Sequence, residues 1–129
     1  MDIERLHRYL LSKPDTLEER PFVPEIPVYK VGGKMFAYLS PKESPPRITL
    51  KLEPLHGQLL RSSYPAVRPA YRMNKDHWNT VLLDGSISEE ELLCWVDESY
   101  NLVVENLPHR KRARILRKSE PQPPSEPLA

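Results

Sequence analysis

VYKVGGKMFAYLS, residues 28–40, is two short alternating runs joined by Gly32-Gly33. Two consecutive glycines suit a two-residue type I′ hairpin turn, because both central positions need positive φ and glycine has no Cβ to clash there. The turn sets the register, with Val31 opposite Lys34, Lys30 opposite Met35, Tyr29 opposite Phe36 and Val28 opposite Ala37. Side chains alternate along a strand, so Val28, Met35, Ala37 and Leu39 fall on one face, and Tyr29, Val31, Lys34, Phe36 and Tyr38 on the other. The expected nucleus is an antiparallel hairpin, aliphatic on one side and mixed aromatic and cationic on the other.

Outward from the hairpin, PKESPP (residues 41–46) is a loop and RITLKL (47–52) a third alternating run. Its Ile48, Leu50 and Leu52 join the aliphatic face, which leaves Arg47, Thr49 and Lys51 beside Phe36 and Tyr38. Upstream, RPFVPEIPVYKV holds three prolines that force extended backbone, so the first strand is placed from about Ile26. Before it, Asp2 caps a helix with Ile3, Leu6 and Leu10 at helical spacing, stopped by Pro14. Pro54 opens a second helix, PLHGQLLRSSY, with Leu55, Leu59 and Leu60 directed inward. YRMNKDHWNT (71–80) runs into a strand, HWNTVLL, closed by Asp84-Gly85. Ser88 and Glu91 stand at capping-box spacing before a long helix with an inward stripe of Leu92, Val96, Tyr100, Val103 and Leu107. Cys94 lies on that helix among Leu93 and Trp95 and is expected to be buried.

The 129 residues suit one domain, and 39% hydrophobic with 29% charged residues is compatible with a folded core. The expected class is α+β, an antiparallel sheet with helices packed on one face, over residues 1–107. The net charge of +1 hides an asymmetry: residues 1–107 carry 13 Lys+Arg against 16 Asp+Glu, net −3, whereas residues 108–129 carry six against two, net +4. This tail is basic and then proline-rich, with too little apolar surface to offset its ordering entropy, and is expected to be disordered. One cysteine cannot make an internal disulfide, no apolar run reaches membrane-span length, and the first residues do not resemble a secretory signal. A cytoplasmic monomer without membrane contact is expected.

YRMNKDHWNT invites a catalytic reading, with His77 as general base, Asp76 or Asn79 orienting it and Lys75 stabilising an anion. No nucleophile elbow, phosphate loop or carboxylate pair accompanies it, and neighbours on a strand point to opposite faces. The stretch is better explained by Asn74 and Asn79 bonding turn backbone and Trp78 packing in or against the core. His7, His56, His77 and His109 show no metal-ligand spacing, so no metal, cofactor or catalytic residue is assigned. Nucleic-acid binding has three candidate surfaces: Lys34 at the hairpin; Arg68, Arg72 and Lys75; and the tail cations Arg110, Lys111, Arg112, Arg114, Arg117 and Lys118. Cations neutralise phosphates, and exposed Tyr29, Phe36 and Tyr38 could stack on bases. The same basic and aromatic face would equally suit a protein or small ligand.

The ordered set RPF, VYKVGGKMFAYLS, RITLKLEP, LLRSSYPAVRPAYRMNKDHWNTVLLDGSISEEEL and SYNLV, across roughly residues 5–104, resembles the MmcQ/YjbR family of small bacterial proteins. The resemblance implies a CyaY-like fold, again an antiparallel sheet with helices on one face. It also implies DNA binding, the family being labelled so in connection with a double-wing arrangement. Arg72 stands where the family usually has histidine, which keeps a cation and removes an imidazole. The expected function is therefore a non-enzymatic module that binds DNA weakly and without sequence preference, the alternative being a protein or small-ligand partner on the open sheet face.

Overall fold

A computed structural model describes residues 2–119. The chain runs α1 (Ile3–Ser12), β1 (Thr16–Glu19), β2 (Val28–Val31), β3 (Lys34–Ser40), β4 (Arg47–Lys51), α2 (Pro54–Ser63), β5 (Val67–Pro69), β6 (Trp78–Leu82), α3 (Glu89–Glu105) and α4 (His109–Ser119). The strands form one antiparallel sheet in the order β1-β2-β3-β4-β6-β5. The helices meet the same face of it, giving the expected α+β architecture. His7 of α1 bonds the Tyr29 hydroxyl at 2.6 Å, Arg61 of α2 donates to Asn79, Ser99 of α3 donates to the Phe36 carbonyl, and Ile115 of α4 joins the same core.

The hairpin departs from strict alternation at one point. Val31 pairs with Lys34 and Lys30 with Met35 as expected, but the register then slips, so that Tyr29 pairs with Ala37 and Val28 with Tyr38. Phe36 is the extra residue of a β-bulge. Phe36 and Ala37 are both fully buried, and the Phe36 ring stands edge-on to Tyr100 of α3 with centroids 5.3 Å apart. Tyr29 is also buried beneath the helices. The expected faces are thereby partly exchanged. Tyr29, Val31 and Phe36 lie on the covered side with Ala37, Leu39, Ile48 and Leu50, whereas Val28 and Met35 lie on the open side with Tyr38. The driving force is apolar burial, because simple alternation would leave two large rings in water, and burying each stabilises the fold by roughly 1.5–3 kcal/mol.

A bulge leaves backbone groups without ladder partners, and a buried unpaired carbonyl is costly. Ser99, itself fully buried, answers this: its hydroxyl donates to the Phe36 carbonyl and accepts the Lys51 amide at 2.8 Å. The rest of α3 follows its sequence pattern. The Ser88 hydroxyl accepts the Glu91 amide at 3.2 Å, and Leu92, Val96, Tyr100, Val103 and Leu107 are all buried.

Other expectations need correction. Two strands, β1 and β5, lie at the sheet edges where TLEE and VRP carry charge or proline instead of an apolar alternation, which is how edge strands avoid further pairing. The second helix does not direct Leu55 and Leu59 inward; they are 80% and 61% exposed. It approaches the sheet through Gly57, where an added Cβ would lie 3.0 Å from Asn79 Nδ2, with Leu60 alongside in the core. Cys94 is exposed, because the buried stripe of α3 passes through Leu92, Trp95 and Val96 instead. The tail is not disordered from residue 108 onward, and the domain extends beyond residue 107. Residues 109–119 form α4, seated by buried Ile115 and held by Lys111 Nζ to the Gly32 carbonyl at 3.2 Å and Arg114 to Asp15 at 2.9 Å. One isoleucine among cations is a weak apolar pattern, and it suffices here because the body presents both partners. The proline-rich stretch 120–129 lies outside the described residues.

Tyrosines secure the helix layer through their hydroxyls. Tyr9 donates to Asp97 at 2.6 Å and Tyr100 to the Pro14 carbonyl at 2.5 Å. Burial first, then the Asp97 carboxylate, pushes Tyr9 up to about 12, and burial with a smaller contribution from Asp15 takes Tyr100 to about 12. Burial also raises Tyr29. These hydroxyls hold their protons more tightly folded than unfolded, so their contribution is complete below the ordinary value of 10.0 and is lost as pH rises towards 12.

Thermal unfolding followed by circular dichroism should therefore show stability falling steeply across that alkaline window. The fall should be shallower in Tyr9→Phe and Tyr100→Phe, and an unchanged slope in both would contradict the assignment. Ser99→Ala strands a buried carbonyl and a part-buried amide and should cost about 2–4 kcal/mol in denaturant unfolding, against under about 0.5 kcal/mol for Leu55→Ser on the exposed face of α2. Equal costs would remove the special role given to Ser99.

Candidate functional site

Once the helices have taken one face, the side chains of the other are set by strand parity. Cross-strand partners share a face, which places Val28, Tyr38, Thr49, Thr80 and Arg68 in one row across β2, β3, β4, β6 and β5. Thr49 and Thr80 join their hydroxyls at 3.0 Å in the middle of the row. Lys30 with Met35, Lys51 with Trp78, and Arg47 with Leu82 flank it. Arg68 is exposed, and Lys30, Met35, Tyr38, Arg47, Lys51 and Trp78 are partly so. Among the described residues, the only carboxylate that the strands place on this face is Glu19, which is already paired with Lys30 at 3.1 Å. The acidic residues of α3, namely Glu89, Glu90, Glu91, Asp97, Glu98 and Glu105, lie in the opposite layer. Several are engaged there, Glu89 with Arg5, Glu91 with Tyr64, Asp97 with Lys13 and Glu98 with His56. The strands thus leave the open face poor in carboxylates, whereas the helix layer mixes the acids of α3 with the cations of α1 and α4.

The sequence candidates divide accordingly. Of the aromatics, only Tyr38 lies on the open face; Tyr29 and Phe36 are buried beneath the helices and cannot stack on a ligand. Trp78 and Met35 take their place, and Lys51 joins the cations. Parity could have identified Met35 only if the bulge had been foreseen. Arg68 stands at the β5 edge, while Arg72 and Lys75 are exposed in the turn before β6, which enters the sheet where β4 ends and β3 begins, the end that also carries Lys34. Arg72 adopts φ 62° and sets its guanidinium 5.2 Å from the Tyr71 ring centre. A positive φ is costly for a residue with a Cβ and marks a held turn. The α4 cations are largely engaged at home: Lys111 on Gly32, Arg114 on Asp15, and Arg112 on the Glu105 carbonyl at 3.4 Å, with Arg110 exposed.

In YRMNKDHWNT the polar groups are spent on architecture. The Asn74 Oδ1 accepts the Asp76 amide at 2.9 Å, and the His77 carbonyl accepts the Leu52 amide at 2.7 Å and Asn79 Nδ2 at 3.2 Å. Buried Asn79 also accepts from Arg61, tying α2 to β6. Trp78 packs only in part, at the sheet end. Among the described residues the His77 ring has no hydrogen-bonding or charged partner, and no cluster of three His, Cys, Asp or Glu could hold a metal ion. No described helix is long and apolar enough to cross a membrane.

Two concavities flank this surface. One of about 340 Å³ is lined by Lys34, Met35, Lys51, Trp78, Val103 and Asn106, where the open face meets the C-terminus of α3. Another, of about 600 Å³, lies between the end of α1, the Gly32-Gly33 turn and α4. Its Lys13, Lys111 and Arg114 are already matched by Asp97, the Gly32 carbonyl and Asp15.

The YjbR family model matches residues 11–102. The uncharacterized protein YbdF of Escherichia coli O157:H7 is 39% identical over 119 residues, covering 89% of this chain and 98% of that protein. The uncharacterized protein YjbR of Escherichia coli K12 is 34% identical over 116 residues, covering 90% and 98%. Among solved structures, the Deinococcus radiodurans protein DR2400, with the family-model domain DUF419, superposes with a TM-score of 0.82 at 34% identity, covering 88% of this chain and 86% of that one. A Pseudomonas syringae protein superposes with a TM-score of 0.69 at 31% identity, covering 79% and 98%. None of these names states an activity. The sequence match across the sheet and α3, together with this shared fold, leads to one conclusion: the chain belongs to the YjbR family.

Proposed function

We propose that the protein is a non-enzymatic binding module that holds DNA on the open face of its sheet, through phosphates and largely without sequence preference. The observation that carries this reading is the scarcity of acid on the open face: Arg47, Lys51 and Arg68 share a face whose single strand carboxylate is already neutralised by Lys30. Lys34, Arg72 and Lys75 extend the cationic surface around the end of the sheet. Such a surface attracts a polyanion by releasing its counterions, and contacts of this kind position a strand without reading bases. A net charge of +1 limits the affinity, and binding through phosphates makes it salt-dependent. The α4 cations contribute less than their number suggests, because three of them already serve the fold. A cytoplasmic location fits the reading.

A second reading, a protein partner on the same face, is favoured by Leu17, which β1 places there opposite Lys30 and which is 68% exposed. The two differ in salt dependence, since apolar docking is insensitive to it.

Binding measured by fluorescence anisotropy over a salt series should give a linear fall of log affinity with log salt. Lys51→Gln and Arg68→Gln should each flatten that slope by about 0.9, the contribution of one phosphate contact. Arg72→Gly with Lys75→Ala should weaken binding equally for unrelated sequences. Glycine relieves the positive φ at position 72, so the loss could not be assigned to unfolding. Absence of binding to any DNA at low salt would reject the reading in favour of a protein partner.

A further inference from the structure

The recess at the sheet end combines features that the rest of the cationic surface lacks. Trp78 and Lys51 are cross-strand partners, Met35 is the second residue of the neighbouring strand, and Lys34 and Asn106 close the rim. Neither lysine has a carboxylate partner among the described residues, and neither rim nor floor carries an acid. The Asn106 amide nitrogen donates to the Leu102 carbonyl at 2.8 Å, which fixes this side chain at the rim. An indole face, a thioether and two ammonium groups form a site for a flat ring that carries an anionic group. Sites for drug-sized ligands run from roughly 300 to 1,000 Å³, so about 340 Å³ accommodates one ring system and little more.

We propose that this recess takes one nucleobase with its phosphate, the base stacked on Trp78 beside Met35 and the phosphate held by Lys34 and Lys51. The inference rests on the nucleic-acid reading of the open face and deepens it, because a base can enter only when it is not stacked in a duplex. The protein therefore prefers unpaired strands. The face supplies the strand track, and the recess supplies the preference.

The test follows tryptophan fluorescence of the full chain at low salt during titration with a short single-stranded oligonucleotide, the same sequence as a duplex, and adenosine monophosphate. The single strand should quench the emission and bind more tightly than the duplex. Trp78→Phe should abolish the quench, since the remaining Trp95 is buried in the core. Trp78→Leu should weaken single-strand binding roughly 10-fold or more, and duplex binding by clearly less. Lys51→Gln should weaken single-strand and mononucleotide binding alike. Thermal unfolding of each variant checks the fold, and Trp78→Phe serves where Trp78→Leu is destabilised.

Equal binding of both DNA forms without any Trp78 signal would overturn the recess and leave the phosphate-binding face intact. Quenching by the mononucleotide without binding of any strand would support the recess as a nucleotide site and overturn the reading of the face. No response to any of the three probes would overturn both.

Discussion

The bulge at Phe36 and the serine that answers it hold the two layers together. An extra residue in β3 turns both Phe36 and Ala37 towards the helices, and it leaves the Phe36 carbonyl facing the helix layer instead of a neighbouring strand. Ser99 satisfies that carbonyl and the Lys51 amide with one hydroxyl. Only a short side chain reaches both groups, so α3 must pass close to β3 and β4 at this point, in a single rotation about its axis. The stripe from Leu92 to Leu107 and the Tyr100–Phe36 contact follow from that rotation. A buried hydrogen bond contributes little net free energy when made and costs more when broken, so its principal effect is on which arrangement is adopted.

The same slip of one residue determines what solvent meets. With simple alternation the open face would have carried three rings from the hairpin. With the bulge it carries Tyr38, Met35 and, from β6, Trp78, among cations that the covered face could not have housed. Lysine and arginine on a helix-covered face would be desolvated without partners, whereas on an open face they remain hydrated and available. The cations of the strands are therefore found on the open face largely as a result of which residues tolerate burial. Lys34 and Lys51 also stand near the negative end of α3, whose last turn has no basic residue of its own, so their charge complements the helix dipole.

YRMNKDHWNT shows how a motif rich in reactive residue types can be architectural. Its asparagines close the turn and tie α2 to β6, and its histidine contributes backbone instead of imidazole. The groups left over, Arg72, Lys75 and one face of Trp78, suit binding rather than bond-making. The positive φ at Arg72 presents a permanent charge at a fixed place on the turn, close to the end of the sheet where Lys34 and Lys51 emerge.

Local rules were sufficient for much of this protein. Gly32-Gly33 marked a two-residue turn, Asp2 and Ser88 marked helix starts, RITLKL alternated cleanly, and the ordered motifs pointed to the family. All of these depend on neighbours in the chain, where backbone sterics and side-chain period act directly. The bulge, the burial of Tyr29 and Phe36, the exposure of Leu55, Leu59 and Cys94, and the docking of α4 depend on partners far along the chain. Ser99 is 63 positions from Phe36 and Arg114 is 99 from Asp15. Periodicity specifies two faces of a strand but not the residue at which the faces change over. That choice belongs to packing, because the free energy of burying two aromatic rings is realised only when α1 and α3 are in place to cover them.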